Sequence, residues 1–345
     1  MSAATPRGAV LALLADCKES PSEDGYRLIL ADWLEENGDP FDQARAELIR
    51  CQLSYERLPA DDPSRDGQGR RARWLQQRHA RDWLGPLSAW DPNGSSHRGL
   101  LVLTLTPAAL RSKALQGLAG GEPWAWVEEV QVSHAGDHDV GRLADSPLLG
   151  TVCAVGFPRG QVGPAGAQAL AGMPWLSRVA RLDLSLNPVG DAGLLRLLRS
   201  PHLTRLGELT LANAGLPPEA GGALGRAGCT GRLRRLSLSG NHLGDLGIVG
   251  LTRHGPLGAA RAPPAGQRRP RPRGGGGPDK PSRRLRYLDL RDNAVGPRGA
   301  AAAADSPHLS RLEALVLCSG RRRPTGPPGW SSGCGRRAHV SPVGT

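Results

Sequence analysis

Apolar residues recur along this chain in one fixed figure. Val179, Leu182 and Leu184 lead to Asn187, then to Val189-Gly190 and Gly193, and the run closes at Leu197-Leu198 and Ser200-Pro201-His202-Leu203. Sliding the sequence against itself by 27 residues recovers the same frame, which is the mark of a repeat array. Val162, Val189, Leu216 and Leu243 fall at equal steps, and so do Leu170, Leu197, Leu224 and Leu251. The starts of successive units are Val152/Val155/Phe157, Val179/Leu182/Leu184, Leu206/Leu209/Leu211, Leu233/Leu236/Leu238, Leu285/Leu288/Leu290 and Leu312/Leu315/Leu317. The last is not completed. Trp126–Val132 reads as the first strand of the series, with Val127, Val130 and Val132 in frame.

Alternation of the last two leucines sends them to one side of a short strand and their neighbours to the other. The second half of each unit, with apolar positions at helical spacing, reads as a helix returning to the next parallel strand. Asn187, Asn241 and Asn293 sit at the turn out of the strand, where a buried amide can satisfy backbone groups of neighbouring coils. The unit between has Ala214 there, with Asn213 one place early, and a local irregularity is expected at that turn.

Before the repeats, helical spacing predicts four helices: 8–19, 24–36, 43–55 and 70–84. Tyr26, Ile29/Leu30 and Trp33/Leu34 form the inner face of the second, and Ala44, Leu48 and Cys51/Gln52 that of the third. Residues 58–69 read as a polar loop. A strand over 99–105 and a helix from Thr106-Pro107 to Leu118 follow, Thr106 being a good N-cap and Pro107 a good first residue.

The pattern L-x-x-L-x-L with an asparagine turn resembles leucine-rich repeats, and the 27-residue length with a helical second half resembles the ribonuclease-inhibitor-like kind. Leu28–Pro40, containing Ala31-Asp32-Trp33-Leu34-Glu35-Glu36 and Gly38-Asp39-Pro40, together with Ala46–Gln52 and Trp83-Leu84-Gly85-Pro86, resembles the bacterial repeat-companion domain. That likeness covers about residues 8–90, with Leu48 where the family usually has Phe and Cys51 where an aliphatic is common. It implies a helical module that precedes repeats. The expected fold is therefore α/β: a leucine-rich-repeat solenoid with concave parallel strands and convex helices, behind a small all-α N-terminal domain. The expected divisions are 1–90 for the helical domain, 91–125 for a capping connector, 126–252 and 285–318 for repeats, and 253–284 and 319–345 for disordered segments.

Charge alters this picture little. The chain of 345 residues has a net charge of +12, but 253–284 supplies nine basic residues against Asp279, and the tail from Ser319 adds five arginines and no acid. The remainder is close to neutral, so the repeats lack the built-in basic face of nucleic-acid recognition. Both basic segments are Arg/Pro/Gly-rich and apolar-poor, and cannot form a packed core. They read as disordered linkers, as GC-rich DNA translated out of frame, or as decayed repeats. Six scattered cysteines without a CxxC pair fit free thiols in a reducing, cytoplasmic setting, and no apolar run is long enough to span a membrane.

No catalytic, cofactor or metal motif is recognisable. Gly225, Gly228 and Gly231 lie in the helical half of a repeat without a phosphate-binding signature. His134, Asp137, His138 and Asp139 are the one metal-like cluster, in a turn where polar residues are expected anyway. Asp32, Glu35, Glu36 and Asp39 read as the solvated flank of a helix. The expected function is non-catalytic binding of a protein partner, by a monomer, through the concave strand positions Glu129, Gln131, Arg181, Asp183, Ser185, Glu208, Thr210, Arg235, Ser237, Tyr287, Asp289 and Arg291. Alternatives are a nucleic-acid-associated protein using the basic insert and tail, and a degenerate repeat protein without a selected function.

Overall fold

The computed structural model describes residues 7–253 and 285–317. The insert beyond Arg253, the tail, Cys318 and Cys334 lie outside the described residues, and so do the expectations placed on them. The chain divides into two compact units. Among the described residues the first comprises 7–135, 142–156 and 178–180, the second 136–141, 157–177, 181–253 and 285–317.

The first unit opens with four helices: α1 (Arg7–Glu19), α2 (Asp24–Asn37), α3 (Pro40–Arg57) and α4 (Arg65–Leu84). Asp39 caps α3, accepting from the backbone N–H groups of Phe41 and Asp42 at 2.8 and 2.9 Å while Asp42 reaches back to Asp39 N–H. This reciprocal box, with Pro40 at the first helical position, is why Gly38-Asp39-Pro40 ends one helix and starts the next. Helix α4 begins five residues before the sequence pattern suggests. Gly67 and Gly69 do not break it, because Gly69 lies against the Tyr55 ring, where a Cβ would meet Cε2 at 2.9 Å. The glycine permits a close helix approach. Leu48, Cys51, Ala72 and Leu75 form the small core between α3 and α4.

On α2 the inner face is Arg27, Leu30, Ala31 and Leu34. The expectation that Tyr26 and Ile29 also face inward is corrected: they are 39% and 52% exposed. The burial face is narrower than the aromatic pattern implies, since α1 and α3 cover only one stripe of α2.

Strands β1 (Ser95–His97) and β2 (Leu100–Leu105) pair antiparallel. The expected helix 107–118 is broken into α5 (Pro107–Arg111) and α6 (Lys113–Gln116). Ser112 is the cause: its extended backbone ends α5, and its hydroxyl caps α6 by accepting from Leu115 N–H at 3.2 Å. A short α7 (Glu122–Ala125) leads to β3 (Val127–Val132), parallel to β2, and β4 (Ala154–Gly156) is parallel to β3.

The second unit repeats one β–α theme. Its strands are β5 (Arg181–Asp183), β6 (Glu208–Thr210), β7 (Arg235–Ser237), β8 (Tyr287–Asp289) and β9 (Ala314–Val316), each parallel to the next. Its helices are α8 (Asp137–Gly141), α9 (Pro164–Ala171), α10 (Gly190–Leu198), α11 (Glu219–Arg226), α12 (Gly244–Arg253) and α13 (Pro297–Ala304), each packed on its successor. Helices alternating with parallel strands from β5 to β9 make this an α/β repeat fold. The four leucine pairs 182/184, 209/211, 236/238 and 288/290, on and just after β5 to β8, are all at most 1% exposed, as are Val162, Val189, Leu216, Leu243, Leu170, Leu197, Leu224 and Leu251.

The turn after the strand is the same in successive repeats. His134, Arg159, Leu186, Asn213, Gly240 and Asp292 occupy it with φ between 51° and 69°, a left-handed conformation uncommon outside glycine. At Ala214 the turn does depart from those at Asn187 and Asn241: Gly215 takes a left-handed φ of 67° where Pro188 and His242 do not, and Pro217 stands where Gly190 and Gly244 are left-handed. Asn213 keeps the left-handed φ of 51°, the Ala214 carbonyl accepts from Gly190 N–H at 3.0 Å, and Val189 N–H is taken by the Asn187 carbonyl at 2.8 Å. The Gly190 bond has its counterpart between Gly244 and Asn293, so it is the Val189 bond that stands in for the missing amide.

Helix starts are tied to one another as well. The Asp137 carboxylate accepts from Gly163 N–H at 2.6 Å, and that of Asp245 from Gly296 and Gly299 N–H at 2.7 and 2.8 Å. A carboxylate at the start of one helix therefore caps the next, satisfying donors with no partner inside their own helix.

Candidate functional site

Strands β5 to β8 each turn a leucine inward and place its two flanking residues on the opposite side. The register aligns these into two rows. Arg181, Glu208, Arg235 and Tyr287 form one, and Asp183, Thr210, Ser237 and Asp289 the other. Most are half-buried; Arg235 is exposed.

Charges within the rows are matched. Arg235 lies 3.8 Å from the Glu208 carboxylate, and its guanidinium sits 5.3 Å from the Tyr287 ring centre. Asp289, only 2% exposed, is gripped by the forked guanidinium of Arg291 at 2.6 to 3.1 Å. Ser185 donates from both N–H and hydroxyl to Asp183 Oδ1, at 2.8 and 2.5 Å. The face thus presents polar groups that are hydrogen-bonded or ion-paired to one another, with a single ring. Asp289 contributes through Arg291, which stands over it, rather than by its own exposure.

The rows rest on the buried asparagines. Asn187, Asn241 and Asn293 are 1–2% exposed. Asn241 accepts from Ala214 and Leu216 N–H, each at 3.0 Å, and donates to the Leu211 and Leu238 carbonyls, each at 2.8 Å. Asn187, two units earlier, and Asn293, in the unit after, likewise bond to backbone groups of the preceding coil.

Three segments of the chain, residues 180–198, 233–251 and 282–302, match the family model described as Leucine Rich repeat. The chain carries leucine-rich repeats. The matched segments contain Arg181, Asp183, Arg235, Ser237, Tyr287 and Asp289. No curated protein matches the sequence significantly. Among the described residues no helix is long and apolar enough to cross a membrane.

The other two predicted positions, Glu129 and Gln131, lie on β3 of the first unit. They are half-buried and hydrogen-bonded to each other, and Gly156 on β4 leaves the room that the Gln131 amide occupies.

The remaining chemical candidates have structural employment. Asp137 and Asp139 bind the backbone N–H groups of Gly163 and Gly136, and no group of three or more metal-ligating side chains occurs among the described residues. Asp32 and Glu35 share Arg50, at 2.7 and 2.6 Å. Gly225 lets α11 approach α12: a Cβ there would lie 2.9 Å from the Gly250 carbonyl oxygen. Cys17, Cys51, Cys153 and Cys229 are free thiols.

Sequence reasoning missed a buried polar cluster in the first unit. Arg27 of α2, 0% exposed, pairs with Glu128 of β3 at 2.8 Å and donates to the Arg98 carbonyl at 3.1 Å. Arg45 of α3 stacks on the Trp126 and Trp83 rings, 3.8 and 5.3 Å from their centres. Lys18, 7% exposed, is held to a pKa of about 8, chiefly because burial disfavours its charge, and burial pushes the Cys17 thiol up to about 11. Arg27 falls on the same helical stripe as Leu30, Ala31 and Leu34, a spacing that could have betrayed it.

Proposed function

We propose that the chain is a non-catalytic scaffold that recognises a protein partner through the outward strand face of its leucine-rich repeats. The observation that carries this reading is the pair of in-register rows, in which polar groups are fixed by a stiff hydrogen-bonded backing. Prearranged side chains lose little entropy on binding, and Tyr287 with Arg235 belongs to the residue types that dominate interface energies. The solenoid reading, with this face concave, and the reading of residues 1–90 as a repeat-companion domain belong to the same proposal. Leucine-rich repeats generally mediate protein association, which supports it.

Affinity capture from extracts of the source cell tests it, with the full chain beside a variant carrying Arg181→Glu, Asp183→Arg and Arg235→Glu. The proposal predicts a partner held by the former and lost by the latter. A partner set unchanged by the reversals would refute the assignment of this face.

A further inference from the structure

We infer that the outer face of α4 is a binding surface for single-stranded nucleic acid, separate from the repeat face. Helix α4 is the one strongly cationic element in an otherwise acidic region. Residues 7–84 contain twelve Lys and Arg against fifteen Asp and Glu, yet α4 alone has six Arg against two Asp. Its inner stripe, Gly69, Ala72 and Leu75, is buried against α3. At 100° per residue the opposite stripe is Arg70, Trp74, Gln77 and Arg81, flanked by Arg73 and Arg78, and all six are exposed.

None of these four arginines makes an ion pair among the described residues. That is unlike the neighbouring charges: Arg71 is held by Glu47 at 2.6 Å, Arg50 by Asp32 and Glu35, and Arg57 by Asp24 at 2.7 Å. The acids of α4 itself, Asp66 and Asp82, stand near its two ends and engage none of them. Unbalanced charge therefore remains along about 16 Å of helix, from Arg70 to Arg81.

At the centre of that stripe stands Trp74, 51% exposed. One side of its ring is backed by the Arg71 guanidinium, 4.5 Å from the ring centre, which is itself fixed by Glu47. The ring is thus oriented but uncovered. A protein interface requires a dehydrated apolar centre, and no second apolar side chain borders Trp74 on this stripe. A single strand asks for what is here: cations for successive phosphates and an oriented aromatic face on which a base stacks. The repeat face has one ring, the half-buried Tyr287 beneath Arg235, and its Arg235 and Arg291 are engaged by Glu208 and Asp289.

The test is fluorescence anisotropy of the full chain with a labelled oligothymidylate of about 20 nucleotides, over a range of salt concentrations. The basic segments outside the described residues are common to all variants, so the comparison isolates α4. Trp74→Ala should weaken binding about tenfold, and Trp74→Phe should restore most of it. Replacing Arg70, Arg73 and Arg81 by Gln should flatten the log–log salt slope by about 2, since each phosphate contact to a single strand contributes about 0.7. These side chains are exposed, so unchanged circular dichroism is expected of every variant. No binding by the parent chain, or affinity and slope unchanged in the variants, overturns the proposal. So does a polyglutamate peptide that competes as well as unlabelled oligonucleotide while Trp74→Ala is silent, which would assign the stripe to an acidic protein.

Discussion

Replacing Lys18 by Met should stabilise the first unit. The ammonium ends α1 inside the protein, 7% exposed, and its pKa falls from 10.5 to about 8, mainly through burial. At ~1.4 kcal/mol per pK unit, holding the charge there costs about 3 kcal/mol. Below about pH 8 folded and unfolded chains both carry the proton, and the whole cost is present. Between about 8 and 10.5 the unfolded chain keeps a proton that the folded chain has released, so stability rises with pH. Cys17 acts in the opposite sense. Its thiol is raised from 9.0 to about 11, so the folded chain keeps a proton the unfolded chain loses, and stability falls as pH climbs through that interval. The net expectation is a gain from pH 8 to 9 and little change just above. Lys18→Met should add up to about 3 kcal/mol at pH 7 and abolish the gain between 8 and 9. Urea unfolding followed by tryptophan fluorescence reads this, because Trp33, Trp74, Trp83, Trp90, Trp124 and Trp126 all belong to the first unit. An unchanged or lower stability of the Met variant at pH 7 would refute the reasoning.

Two further perturbations probe the interior. Arg27→Met or Glu128→Leu alone should cost about 4 kcal/mol, by stranding a buried charge, while the double variant should lie within about 2 kcal/mol of the parent. Additive losses in the same urea assay would show that the pair is not coupled. Asn241→Ala should cost about 3 kcal/mol or more, since it leaves two buried N–H groups and two buried carbonyls without their side-chain partner. A thermal midpoint unchanged from the parent would contradict that role.

The repeat frame was readable because each unit repeats the same short-range demand: a leucine at every inward strand position and an aliphatic on the helix. Burial of those positions follows from spacing alone. What spacing could not convey depends on partners distant in sequence. Tyr26 and Ile29 look like core residues until α1 and α3 leave them uncovered. Gly69 looks like a helix breaker until the Tyr55 ring takes its place, and Ser112 interrupts a helix that composition would continue. Arg27 needs Glu128, 101 residues away, to enter the interior at all. At Ala214 the missing asparagine did announce a local departure but not its form, which is a left-handed Gly215 and a Val189 N–H turned to the Asn187 carbonyl. The outward rows of the site were readable from strand alternation. The pairing of Asp289 with Arg291 two residues on, and of Arg235 with Glu208 on the neighbouring strand, was not, because strand alternation places side chains without saying how far each reaches.

The most direct test of the recognition face places a photo-activatable cross-linker at Thr210, within the rows, and in a second protein at Arg196, exposed on α10. Both are irradiated in extract of the source cell and the adducts identified by mass spectrometry. The account predicts a discrete protein adduct from position 210 and none of it from position 196. Equal yields from both, or the adduct from position 196 alone, would contradict it.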